Sequence, residues 1–163
     1  MYIENKYWDH YIGDTDDSLT LIEYLAYKRK NSPEKEIPVK EIFADMRLEQ
    51  LRGDFRQADS LLVTLDGMEM EIYYVIDLVA DLAAILLECK VNGSVKLSEL
   101  CGNAAYVQEV CLVAEPQEHE QINQILRDFA ADPLAYNLSE MVPEEEMLEM
   151  AGICEDLRKE LYE

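Results

Sequence analysis

Apolar and polar residues follow two different periods along this chain, and the places where the period changes divide it into elements. Leu19, Ile22, Leu25 and Ala26 recur at helical spacing behind Gly13-Asp14-Thr15-Asp16-Asp17-Ser18, a segment dense in residues that cap helix N-termini. A first helix over about 18–30 follows, with Lys28, Arg29 and Lys30 placed at the negative end of its dipole. Asn31-Ser32-Pro33 ends it. Pro38, at a first-turn position, opens a second helix that carries Ile42, Phe43 and Met46 and runs to about Leu51 before Gly53 breaks it. The exposed face of that helix is the one basic-rich part of the chain.

Period two takes over at 61–65 and 68–72, where Met68-Glu69-Met70-Glu71-Ile72 alternates apolar with acidic residues. Asp66-Gly67 between the two runs predicts a hairpin, because both turn positions of a tight two-residue loop require positive φ. From Tyr73 to Cys89 the period returns to that of a helix, apolar on nearly all sides and therefore central. Its polar residues Asp77, Asp81 and Glu88 fall on one narrow stripe, which reads most simply as a solvated edge.

After Asn92-Gly93 the pattern predicts a short extended piece over 94–97, a single helical turn at Ser98-Glu99-Leu100 stopped by Gly102, and a strand over 106–113. Pro116 starts a helix with Ile122, Ile125, Leu126 and Phe129 on one side, ending before Asp132-Pro133. The last helix begins at Pro143, with Glu144-Glu145-Glu146 where the dipole favours anions and Met147, Met150, Ala151, Cys154, Leu157 and Leu161 facing inward. Glu145, Glu149, Asp156, Glu160 and Glu163 line its outer face. The expected architecture is α+β and mainly helical. A central buried helix is packed by amphipathic helices, with a small antiparallel sheet made from the hairpin and one later strand. At 163 residues, with no linker or repeat, a single globular domain over 1–163 is expected.

Charge narrows the function. The 35 acids against 14 bases give a formal net charge of −21, which disfavours nucleic acid and anionic membranes as partners and favours a basic one. Residues 1–59 hold 13 acids and 9 bases, a net of −4, while residues 60–163 hold 22 acids and 5 bases, a net of −17. Met1-Tyr2-Ile3-Glu4-Asn5-Lys6 lacks the apolar stretch of a secretory signal, so a cytoplasmic location is expected. The four cysteines, with no C-x-x-C spacing, read as buried free thiols.

Catalytic signatures are absent: there is no dinucleotide or Walker A glycine loop, no H-E-x-x-H and no G-x-S-x-G. His10 and His119 stand in no nucleophile arrangement, so neither a catalytic residue nor a cofactor is expected. Asp14-Thr15-Asp16-Asp17-Ser18 begins like a calcium loop, but Leu19 occupies the position of its turning glycine and Leu25 that of its bidentate glutamate. Helix capping is the better reading, and no metal is expected. An enzyme working through carboxylates would need a concave pocket near Asp77, Asp81 or Glu88 holding acids of raised proton affinity.

What remains is a surface for a partner. Tyr2, Tyr7, Trp8 and Tyr11 read either as a lid over the core or as rigid anchors at an interface. The expected partner-binding set is Trp8, Tyr11, Asp14, Asp16, Asp17, Glu145, Glu149 and Asp156. Tyr7-Trp8-Asp9-His10-Tyr11-Ile12-Gly13-Asp14-Thr15-Asp16-Asp17-Ser18-Leu19 followed by Glu23-Tyr24-Leu25 resembles the start of small immunity proteins from bacterial polymorphic toxin systems. Ile42-Phe43-Ala44-Asp45 and Gly53-Asp54-Phe55 are compatible with it. The resemblance implies a non-enzymatic cytoplasmic antidote that binds and neutralises one cognate toxin domain, commonly a nuclease or other cation-surfaced enzyme. Binding residues are not shared between such families, so none is transferred. A monomer or weak homodimer is expected, since the seven methionines and the aromatic N-terminus could form an exposed patch. An acidic adaptor or regulatory subunit for another basic protein is the alternative.

Overall fold

The apolar run after the hairpin becomes the helix that the rest of the chain covers. The computed structural model describes residues 1–163. In chain order it contains α1 (Asp16–Lys30), β1 (Glu36–Pro38), α2 (Val39–Asp45), β2 (Leu61–Leu65), β3 (Met68–Ile72), α3 (Val75–Asn92), β4 (Val95–Lys96), α4 (Leu97–Cys101), β5 (Glu109–Val113), α5 (Pro116–Ala131) and α6 (Glu144–Tyr162). Every residue of α3 from Val75 to Cys89 is buried, and α1, α5, α6 and β5 all pack against it. The core is one cluster of 48 buried apolar residues, and the mainly helical α+β expectation holds.

Local chemistry explains where the elements start and stop. α1 begins at Asp16, two residues earlier than expected, because Thr15 is its cap. The Ser18 N–H donates to Thr15 Oγ1 at 3.0 Å and the Thr15 N–H donates back to Ser18 Oγ at 3.4 Å. The second expected helix is divided. α2 stops at Asp45, then Arg47 and Arg52 take left-handed φ values of 57° and 52° around a 3-10 turn at Leu48–Leu51. Met46 and Leu48 are both buried, and side chains two residues apart on a continuous helix face nearly opposite ways.

The hairpin forms with Asp66 at φ 45° and Gly67 at φ 79°, and Leu61, Val63, Met70 and Ile72 face inward. It stands alone, however, as a two-stranded sheet. β5 pairs instead with β1 in parallel, Ile37 opposite Leu112, and with β4 antiparallel, Val95 opposite Val110. The expected single antiparallel sheet is therefore two small sheets, one of them mixed. Pro38 ends a strand rather than sitting in a helical first turn, which fits the extended bias proline imposes on Ile37 before it.

The largest correction concerns the acidic stripe of α3. Asp77, Asp81 and Glu88 are 5%, 1% and 3% exposed. The N-terminal segment lies over this stripe and donates to two of the three. The Tyr2 and Ile3 amides donate to Glu88 at 3.1 and 3.2 Å, and the Gly13 amide and Ser18 hydroxyl donate to Asp81 at 2.9 and 2.6 Å. In return Asp17 of α1 accepts from the Tyr73 and Tyr74 amides at 2.7 and 2.9 Å, ahead of the first turn of α3, which has no side-chain cap of its own. An irregular buried backbone needs acceptors, and the stripe supplies them.

Trp8 settles the lid question for itself. It is 1% exposed and its Nε1 donates to the Leu100 carbonyl at 2.7 Å. Gly13 lies against the indole at φ 82°, where a Cβ would stand 2.3 Å from Trp8 Cε2. α6 buries the inward residues expected of it and also Arg158, whose guanidinium donates to Glu155 at 2.7 and 2.8 Å, Glu163 at 2.6 Å and Asn123 at 3.0 Å. Cys89 and Cys154 are buried, Cys101 and Cys111 half-buried, and all four are free thiols. No helix is long and apolar enough to cross a membrane.

Two substitutions test this packing by urea denaturation. Asp81→Leu strands the Gly13 amide and the Ser18 hydroxyl and is expected to cost about 2–4 kcal/mol, whereas a solvated stripe would tolerate it. Gly13→Ala combines a strained φ with a clash against Trp8 and is expected to cost about 2–4 kcal/mol.

Candidate functional site

The loop 8–13 is wound tightly enough to put Trp8 and Ile12 inside and Asp9 and His10 outside. Asp9 and Tyr11 take φ values of 71° and 65°, and the Asp9 amide donates to the Ile12 carbonyl at 2.8 Å. This loop and the cap of α1 form one wall of a cleft. The first turn of α3 is its floor, and residues 138–142 with the start of α6 form the other wall.

Two adjoining cavities make up the cleft. One, of about 510 Å³, is lined by Asp14, Thr15, Asp16, Asp17, Tyr73, Tyr74, Asp77, Leu138, Met141 and Val142. The other, of about 350 Å³, is lined by Asp9, His10, Tyr11, Glu149 and Met150 together with Asp14, Thr15, Asp77, Leu138 and Val142 of the first. Tyr73 is half exposed and Met141 is 72% exposed, an apolar margin beside an acidic floor.

The electrostatics of the floor follow from burial. Asp77 is pushed up to about 9, first by desolvation and then by the charges of Asp81 and Asp17, so it keeps its proton at neutral pH and hydrogen-bonds Asp17. Burial also raises Asp81, to about 7, against the opposing bonds from Ser18 and Gly13. Asp17 is raised by burial while the Tyr73 and Tyr74 amides pull the other way. At the rim, the Tyr11 hydroxyl donates to Glu149 Oε2 at 2.9 Å, and that bond, with burial and the nearby Glu146 and Glu145, holds its proton more tightly.

None of these carboxylates pairs with a cation of the chain. The ion pairs engage Glu4, Glu41, Asp45, Asp128, Asp132, Glu155, Glu160 and Glu163, all outside the cleft lining. No three His, Cys, Asp or Glu side chains are arranged to hold a metal ion.

Of the eight residues expected to meet a partner, Tyr11, Asp14, Asp16 and Glu149 come together at the rim. Glu145 lies one helical turn before Glu149 and is exposed. Asp156 is exposed seven residues beyond Glu149, outside the cleft. Trp8 and Asp17 are buried at 1% and 2% exposure, where the indole bonds the Leu100 carbonyl and the carboxylate the Tyr73 and Tyr74 amides, so neither stands at the rim. Tyr73 and Met141 also line the cleft and are not among the eight, while Asp77 is named only as an acid that a pocket would make relevant. Asp77 carried the signal of an acid inside an otherwise apolar helix.

A larger apolar cavity, about 560 Å³, opens elsewhere between Cys89, Cys111, His119 and Tyr162. Burial pushes the Cys89 thiol up to about 12, which opposes the thiolate a nucleophile requires, and His119 Nδ1 is held by the Tyr162 hydroxyl at 3.1 Å.

A family model described as immunity protein 68 matches residues 2–161, which takes in the cleft, both sheets and all six helices but the last residue of α6. The chain belongs to that family. No curated protein and no solved structure matches it. The resemblance carried by the N-terminal residues thus extends over nearly the whole of this immunity protein, whose partner is a toxin.

The raised carboxyls of this immunity protein dictate how its stability responds to pH. Folded Asp77 keeps its proton to about pH 9, while an unfolded aspartate loses it near ~4. The folded chain therefore binds more protons than the unfolded one across that window, and stability falls as pH rises, by at most about 1.4 kcal/mol per pH unit for each such group. Melting temperature is expected to drop between pH 6 and pH 9, and Asp77→Asn is expected to flatten that slope. A melting temperature in the parent protein that does not change over this range would contradict the assignment.

Proposed function

We propose that this immunity protein neutralises its cognate toxin by direct contact, with the cleft and the adjoining face of α6 set against a basic surface of the toxin domain. The observation that carries this reading is the set of carboxylates around the cleft with no cation of their own, Asp14, Asp16, Glu145 and Glu149, above the protonated Asp77. A surplus of one sign costs self-repulsion in the free protein, steers an oppositely charged partner and is relieved when that partner docks. A nuclease, which holds its substrate in a groove of Lys and Arg, offers the matching surface, and occupying that groove blocks it. The encounter takes place in the cytoplasm, between a monomer or weak homodimer and one domain of a polymorphic toxin. Nucleic acid and membrane take no part on the immunity side, since a chain of net charge −21 is repelled by both.

The same cleft meets one condition for a carboxylate enzyme, since it holds acids of raised proton affinity. The geometry argues for binding instead. Both oxygens of Asp17 are engaged by backbone amides, and Asp81 lies beneath the floor rather than in it. The protein acts without a cofactor and without turnover.

The test is co-purification with the product of the adjacent upstream gene, followed by growth rescue in cells that express it. Reversing Asp14, Glu145 and Glu149 to Lys is expected to lower the association rate about tenfold or more at low salt and to flatten its dependence on ionic strength. Stopped-flow mixing measures both. Association rates that do not change across the series would sink the steering argument.

A further inference from the structure

Five carboxyl groups of this chain are buried, and four of them accept hydrogen bonds from N–H or O–H donors. Asp17 is held by the Tyr73 and Tyr74 amides, Asp81 by Gly13 and Ser18, Glu88 by Tyr2, Ile3 and Asn92, and Glu118 by the Glu115 amide. Asp77 is the exception. It is 5% exposed, receives no donor and no cation from its own chain, and its one hydrogen-bonding neighbour is another carboxyl, Asp17. Both cavities of the cleft nevertheless reach it. A buried polar group without a donor costs free energy, and one that lines an open cleft is positioned to receive its partner from outside.

We propose that the cleft receives one cationic side chain, an arginine or lysine projecting from the toxin, whose head group pairs with Asp77 at the floor. This rests on the reading of the chain as a toxin-binding immunity protein and names what that surface takes. The walls suit such a guest. Leu138 and Val142 border the aliphatic stem, while Tyr73 and Met141 stand at the mouth, where a planar guanidinium packs favourably against aromatic and sulfur groups. The larger cavity, about 510 Å³, lies within the ~300–1,000 Å³ range of sites that enclose small ligands.

The electrostatic surroundings are one-sided. Asp14, Asp16 and Asp17 face the floor from α1 and its cap, Asp81 from α3 itself and Glu149 from α6. Asp9, His10 and Tyr11 come from the N-terminal loop, Tyr73 and Tyr74 precede α3, Glu140 acts on Tyr74 from the opposite wall, and the Cys154 thiol lies against Asp77 from α6. An arriving cation favours the ionised form of Asp77. The proton that Asp77 shares with Asp17 then leaves for solvent, so one proton is released for each complex formed.

The experiment is calorimetry of the full chain against the toxin domain at pH 7, in buffers of different ionisation enthalpy. The expected result is release of about one proton by the parent protein, none by Asp77→Asn, and at least about tenfold weaker binding by that variant. Val142→Trp, which narrows the cleft and keeps every carboxylate, is expected to weaken binding by a similar factor and guards against a misfolded Asp77 variant. Equal affinity in all three proteins, with no proton released by the parent, overturns this inference and leaves the immunity reading intact. Absence of any complex overturns both.

Discussion

The N-terminal eighteen residues contain little regular structure, yet many of them are buried, and the carboxylate stripe on α3 is what makes that possible. Backbone amides at Tyr2, Ile3 and Gly13 leave water when the segment docks, and each finds a carboxylate oxygen on α3. The exchange is reciprocal, because Asp17 of α1 satisfies the amides just before α3. Burying a carboxylate costs several kcal/mol unless its lone pairs are filled, and filling them from an irregular backbone meets the needs of both sides. The register of the segment follows from it. With Glu88 holding residues 2 and 3 and Asp81 holding residue 13, Trp8 is placed over Gly13 and its indole N–H reaches Leu100.

That docking also builds the cleft, and it leaves one place where the exchange is incomplete. Asp77 sits one turn before Asp81, and no backbone amide of the segment donates to it. It stays protonated because burial disfavours its charge and the carboxyls of Asp81 and Asp17 lie close by. The free protein therefore carries a locally unfavourable group at the floor of an acidic concavity. Sites that bind partners are often poorly satisfied in isolation, because the contacts that would complete them belong to the complex.

How much of this was legible in the sequence depends on what each signal reports. Periodicity reports faces, so α3, α5, α6 and the hairpin with its Asp66-Gly67 turn were all readable. It fails for elements too short to show a period. β1 is three residues long and its partner β5 lies about 75 positions away, so nothing local distinguished it from the start of a helix. Periodicity also cannot say what covers a face. Asp77, Asp81 and Glu88 share a stripe as expected, but only the docked N-terminal segment decides that the stripe is dry. The rim residues Tyr11, Asp14, Asp16 and Glu149 were found by charge and aromatic content, whereas Trp8 and Asp17 carried the same signals and serve the fold. A carboxylate beside a helix cap reads alike whether it faces solvent or a neighbouring amide.

The distribution of the few cations completes the physical case for a partner. Lys6 ties the N-terminal segment to Glu160, Lys28 ties α1 to α2 through Glu41 and Asp45, Arg56 ties the loop before the hairpin to Asp128 and Asp132, and Arg158 is enclosed by Glu155 and Glu163. Each of these cations serves internal structure, and most join elements that are distant in sequence. Had the acidic surplus been only a means of keeping the chain in solution, it would be served equally well anywhere on the surface. Instead the positive charges are placed away from the cleft, and the concavity between the N-terminal loop, α1 and α6 keeps its negative field unneutralised. Low-dielectric walls concentrate such a field, so its effect is felt most strongly by a cation approaching the cleft itself.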